Sequence, residues 1–153
     1  MTEAEWLACD DPDRLFSWLL HCGPDFSEDQ TDELVRRGFR RVVKQSEGVG
    51  DPTRLAVVQG ALGDERQCQI RLLRDIFGNP FSPITFSASW STDTALSLAR
   101  TMYDSRDFSA MPILADAFQD AGCDNDDILN HCRDASAAHV RGCWVIDLLL
   151  GNR

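Results

Sequence analysis

The sequence predicts an all-α fold: a compact domain of seven or eight helices with one long aromatic-rich loop over 79–91. Three observations lead there. Helix-start signals recur, as Thr2 with Glu5, Asp11-Pro12, Ser27 with Gln30, and Asp51-Pro52. Behind each, apolar residues return every three to four positions. No segment sustains the period-two alternation of a half-buried strand.

The elements follow in order. Thr2 and Glu5 form a T-x-x-E capping box ahead of Trp6 and Leu7. Asp11 then caps a second helix with proline at its first position, and Leu15, Trp18, Leu19 and Cys22 line one face until Gly23-Pro24. Ser27 and Gln30 open a third, with Leu34, Val35, Phe39, Val42 and Val43 as its stripe. Asp51-Pro52 starts a segment carrying Leu55, Val58 and Leu62, which Gly60 and Gly63 weaken. Helix resumes from Asp64 to Phe77 with Leu72, Leu73, Ile76 and Phe77 inward, and Gly78 is its natural C′ residue.

The loop that follows holds Phe81, Phe86 and Trp90, too apolar to lie free in solvent. Ile84-Thr85-Phe86 is its one extended-looking piece, and an isolated strand builds no sheet. Ser91, Thr92 or Asp93 caps a helix to about Asp104 that offers Leu96, Leu98, Ala99 and Met102 for packing. Ser109 is expected to cap the next, through Ala121 and closed by Gly122. Asp124 or Asn125 starts a short helix with Ile128 and Leu129, and the last runs from about Val140 to Leu150, ending at Gly151. The chain reads as a single domain over 1–153, with 109–151 a tightly packed C-terminal helical unit.

Composition narrows the function classes. At 153 residues, 43% hydrophobic and 26% charged, the chain can bury a real core. It has no apolar run near the ~20 residues of a membrane span, and its acidic start lacks the basic region of a secretory signal. The expected compartment is the cytoplasm, with the six cysteines reduced. A net charge of −10 disfavours nucleic acid and anionic membranes as partners.

One basic patch stands against that charge. Arg36, Arg37, Arg40, Arg41 and Lys44 fall on one helix face and hold five of the fifteen positive residues. They are the candidate surface for an acidic partner, most plainly another protein; the plain alternative is a solvated face opposite Leu34, Phe39 and Val42.

The Cys/His density near the C-terminus suggests metal. Cys123, Cys132, His139 and Cys143 are the candidate ligands of a structural zinc, with His131 beside Cys132. No C-x2-C pair anchors the set, and adjacent His131 and Cys132 point about 100° apart on a helix. His139 and Cys143, four apart, would share a face. The plain alternative makes Cys132 and Cys143 core thiols, leaves His131 exposed, and lets His139 cap the last helix.

Other chemistry finds little support. Asp124-Asn125-Asp126-Asp127 lacks the spacing of a calcium loop and reads as a helix start. Cys22 beside His21, or Cys143 with His139, lacks the third group of a nucleophilic site. No P-loop, dinucleotide fingerprint, G-x-S-x-G or H-E-x-x-H is present. No catalytic residue and no cofactor are assigned.

Four longer words carry a resemblance. MTEAEWLACDDPDRLFSWL, LLRDIFGNPFSPITF, PILADAFQDAGCDNDDILNHCR and HVRGCWVIDLLLG, in this order, resemble blocks of a bacterial family of planctomycete type. The resemblance covers the first twenty residues and most of 72–151, while the stretch between departs from the family pattern. It implies a shared fold and a lineage-expanded module, and it implies no catalytic residue.

Together these readings favour a non-catalytic protein-interaction or regulatory module. A helical domain with structural zinc near Cys123 to Cys143 is the alternative, and an enzyme comes third.

Overall fold

A computed structural model describes residues 1–22 and 62–152, except 135 and 138. Side chains at 20 and 62–65 lie outside that description. So do the Ser27 and Asp51-Pro52 helix starts and the basic patch Arg36, Arg37, Arg40, Arg41 and Lys44.

The described residues are helical, as expected, with no strand. They form α1 (Glu3–Ala8), α2 (Pro12–Cys22), α3 (Leu62–Phe77), α4 (Asp93–Ser105), α5 (Met111–Asp120), α6 (Asp126–Arg133) and α7 (Trp144–Leu150), with a 3₁₀ turn at Ala88–Trp90. No helix among them is long and apolar enough to cross a membrane.

Local chemistry sets most boundaries. The Thr2/Glu5 capping box forms in full. Asp11 Oδ1 accepts the N–H groups of Asp13 (3.0 Å) and Arg14 (3.4 Å) at the start of α2. Thr92 caps α4 through Ala95 N–H at 3.2 Å, and Asn125 caps α6 through Ile128 N–H at 3.1 Å. Gly78 ends α3 at φ 63°, a conformation that favours glycine.

Three boundaries differ from the sequence reading. α3 already runs from Leu62 through Gly63, where the sequence places a weakened stretch before Asp64. Ser109 does not cap α5: its N–H turns to Asp107 Oδ1 at 3.0 Å, and Ala110 is the N-cap, without a side-chain bond. The last helix begins at Trp144 rather than Val140. Gly142 adopts φ 91°, and a turn closes by Cys143 N–H to Val140 C=O at 3.0 Å. A left-handed residue cannot continue a right-handed helix, so 139–143 stays outside α7.

Packing gathers into two apolar clusters. One joins Trp6, Leu15, Phe16 and Leu19 to Ile70, Leu73, Ile76 and Phe77, with Val140 against them. The other gathers α4 to α7 around Ala99, Met102, Leu114, Phe118, Ile128 and Ile146. α2 packs on α3, α5 on α4 and α6, and α7 touches α3, α4 and α6. Chain and helix ends are tied across these contacts. Arg74 donates to the carbonyls of Trp6, Leu7 and Cys9, stopping α1 against α3. Arg133 joins α6 to Asp116 (3.2 Å) and Gln119 (2.6 Å) of α5. Arg141 donates twice to Tyr103 C=O and stacks over that ring, anchoring the 139–143 turn to α4. The seam between the clusters is where α3, α6 and this turn meet.

Candidate metal centre

Four ligand-type atoms converge at that seam. Asp75, His131, His139 and Cys143 each offer one nitrogen, oxygen or sulfur atom, and all four lie within 4.8 Å of one another. Asp75 comes from α3, His131 from α6, and His139 and Cys143 from the turn entering α7.

The group is built around the Asp75 carboxylate, which is 3% exposed. Its Oδ2 accepts the N–H of Val140 at 2.9 Å. That bond orients the carboxylate and leaves Oδ1 to the histidines. His139 Nδ1 stands 2.7 Å from Oδ1, and His131 Nε2 stands 3.3 Å from the same atom. His131 Nε2 is also 3.1 Å from Cys143 Sγ. The two imidazoles meet edge to face at 4.8 Å, and His131 tilts against Trp144 at 5.1 Å. Trp144 is held in turn by Gly78, where a Cβ would come within 3.1 Å of its ring.

The electrostatics are those of a buried, partner-dependent group. Burial alone would raise the Asp75 carboxyl, but hydrogen bonds and charge from His131 and His139 outweigh it and hold the carboxyl below its ordinary value. Cys143 is fully buried, and burial, with the Asp75 and Cys132 charges, pushes its thiol well up, against the opposing pull of the Ile146 and Val145 amides. Burial likewise pushes the Cys132 thiol up to about 12. His139 Nε2 is buried and finds no hydrogen-bond partner among the described residues.

This arrangement suits a metal better than a nucleophile. In a Cys-His-acid triad the base meets the nucleophile at one ring nitrogen and the acid at the other. Here Cys143 Sγ and Asp75 Oδ1 both face His131 Nε2. A reactive thiol also needs a lowered pKa and access, and Cys143 has neither. Four ligand-type atoms within 4.8 Å of one another are a set that a tetrahedral ion can gather. Arms of about 2.0–2.3 Å give ligand separations of about 3.3–3.7 Å. The 3.1 and 3.3 Å separations stand close to that range, the 2.7 Å pair would open by about half an ångström, and the widest, at 4.8 Å, would close by about one.

The sequence set and this group overlap in His139 and Cys143. Cys123 and Cys132 are buried in the C-terminal cluster and are not among the four convergent residues. Of the adjacent pair His131 and Cys132, it is His131 that faces the seam, and it is neither fully exposed nor a bystander. His139 does not cap α7, whose N-cap is Cys143. Asp75 is the member of the group that the sequence alone does not single out. Its signal is a lone carboxylate beside the inward Leu72, Leu73 and Ile76 of α3.

The remaining candidates stand apart from this centre. Asn125 and the carboxylates after it form a capped first turn. His21 Nδ1 bonds Ser17 C=O at 2.7 Å, and Cys22 is exposed. No family model, curated protein or solved structure matches the chain.

Proposed function

We propose that this protein is a helical domain organised by a structural divalent-metal centre, with Asp75, His131, His139 and Cys143 as ligands. The observation that carries the reading is the convergence of those four side chains, from three separate segments, at a buried seam. The donor set, two imidazoles with one thiolate and one carboxylate, matches the ligand preferences of zinc. Two neutral histidines, one carboxylate and one thiolate bring two negative charges, which balance a divalent cation in a site that could not hold them uncompensated. Val140 N–H on Asp75 Oδ2 supplies the outer-shell bond that fixes a ligating carboxylate.

The role that fits is a clamp. Asp75 belongs to the helix that builds the N-terminal cluster, and Cys143 and Trp144 to the other, so one ion would join the two across their seam. The centre would then secure a scaffold for interaction and carry no reaction of its own. Membership of the planctomycete-type family is part of the same proposal. Asp75 lies in the LLRDIFGNPF word, His131 in the word ending ILNHCR, and His139 and Cys143 in HVRGCWVIDLLLG.

Metal analysis with thermal denaturation tests this. The expected result is one zinc per chain, a melting temperature lowered by a strong chelator, and its recovery on adding zinc. At zinc a thousandfold above its Kd the stabilisation is about 4 kcal/mol. A chain that is metal-free as isolated, with melting indifferent to chelator and to added zinc, overturns the reading.

A further inference from the structure

The four ligands are not equally enclosed. Asp75 and His139 side chains are 3% and 5% exposed and Cys143 is 0%, whereas His131 is 16% exposed. The open side of His131 faces a cavity of about 580 Å³. Of the four, His131 alone lines that cavity, together with Trp18, Phe77, Trp144, Arg74 and Asp127. The volume falls within the range of small-ligand chambers and far exceeds what one side chain needs to swing.

Among the described residues of the wall, one carboxylate and one guanidinium carry full charge, and the carboxylate shares a helix with His131. Asp127 is exposed one helical turn before His131, on the same face of α6. The positive group there, Arg74, directs its guanidinium to the carbonyl oxygens of Trp6, Leu7 and Cys9, whose dipoles screen part of its charge. The chain as a whole carries −10.

Resting on the metal reading above, we propose that this cavity is the entry chamber of the centre. A divalent cation is loaded and released through it, His131 is the exchangeable ligand, and Asp75, His139 and Cys143 form the permanent seat. His131 lies between chamber and centre. When its ring turns toward the cavity, the ion is reached without parting the helices. The other three ligands are held by packing and by the Val140 N–H bond, and among the described residues they are more enclosed than His131.

Cobalt(II) is the probe, because its visible absorption reports a tetrahedral site with a thiolate ligand. His131→Ala leaves three ligands and an opening to the chamber. Its cobalt should be extracted by a small chelator at least about tenfold faster than from the wild-type chain. Added imidazole should restore the wild-type spectrum in His131→Ala and leave His139→Ala unchanged, since that gap is enclosed. Independently of whether His131→Ala folds, Asp127→Lys should slow cobalt loading by about threefold or more at low salt while reaching the same final spectrum. Imidazole rescue of both alanine variants or of neither, or equal loading rates for the wild-type and Asp127→Lys chains, overturns the chamber. If the wild-type chain takes up no cobalt, the metal reading itself has failed; if it binds cobalt and these variants behave otherwise, the chamber alone has failed.

Discussion

Asp75 and His139, 64 residues apart in sequence, meet at 2.7 Å, and the same carboxylate accepts the N–H of Val140 through its other oxygen at 2.9 Å. One buried side chain of α3 thereby fixes the turn that delivers two of the four convergent groups. Asp75→Asn keeps the shape and removes the charge. An amide cannot accept from Val140 and from the histidines while also placing its own NH2, so one buried group is left unsatisfied. The expected loss is about 3 kcal/mol in urea denaturation, with metal binding abolished. A loss below about 0.5 kcal/mol would remove Asp75 from the centre of the account.

Acid should act on the same residue. A carboxyl whose folded pKa is depressed contributes stability that is complete above its unfolded value of about 3.9 and is lost as pH falls through the lower folded value. Denaturation midpoints of the metal-free chain should therefore fall more steeply below about pH 4 for the wild type than for Asp75→Asn. Parallel curves for the two chains speak against the carboxylate being held by its partners.

Thiol labelling should divide the six cysteines. Cys22 and Cys68 are exposed, and Cys123, Cys132 and Cys143 are buried. Burial also pushes the Cys132 and Cys143 thiols up, to about 12 for Cys132, which disfavours the reactive thiolate while no metal is bound. In the folded, metal-free chain an alkylating reagent should take Cys22 and Cys68 first, and Cys132 and Cys143 only on unfolding. Mass mapping that finds Cys143 among the fast sites contradicts its placement.

Gly78 tests the wall behind the centre. Its φ of 63° and the 3.1 Å approach of a would-be Cβ to the Trp144 ring both oppose any side chain. Gly78→Ala should cost about 1–3 kcal/mol and, by displacing Trp144 beside Cys143, weaken cobalt binding as well. A substitution neutral in both measurements would mean that Trp144 is not held from this side.

What the sequence reveals follows the range of the forces involved. Helix starts at Thr2, Asp11, Thr92 and Asn125 are legible because a cap lies within three residues of the amide it serves. The helical class is legible because Leu72, Leu73, Ile76 and Phe77 repeat their period locally. The start of α7 is misread because Gly142 is taken as tolerated inside a helix, whereas its φ of 91° makes it the turn that precedes one. The centre is half legible. His139 and Cys143 are near neighbours in sequence, but Asp75 lies on another helix, at the edge of the apolar arc about 60° beyond Leu72. Nothing local says that its partner is a turn 64 residues away. The choice between His131 and Cys132 depends on which way α6 is rotated, and that is decided by packing against α5 and α7.

X-ray absorption of the zinc-loaded chain tests the central claim most directly, because it counts the atoms around the ion. The account predicts one bound zinc with one sulfur at about 2.3 Å and three nitrogen or oxygen neighbours at about 2.0–2.2 Å, the sulfur vanishing in Cys143→Ser. A shell with two or more sulfurs, a shell with none, or a chain that binds no zinc would contradict it.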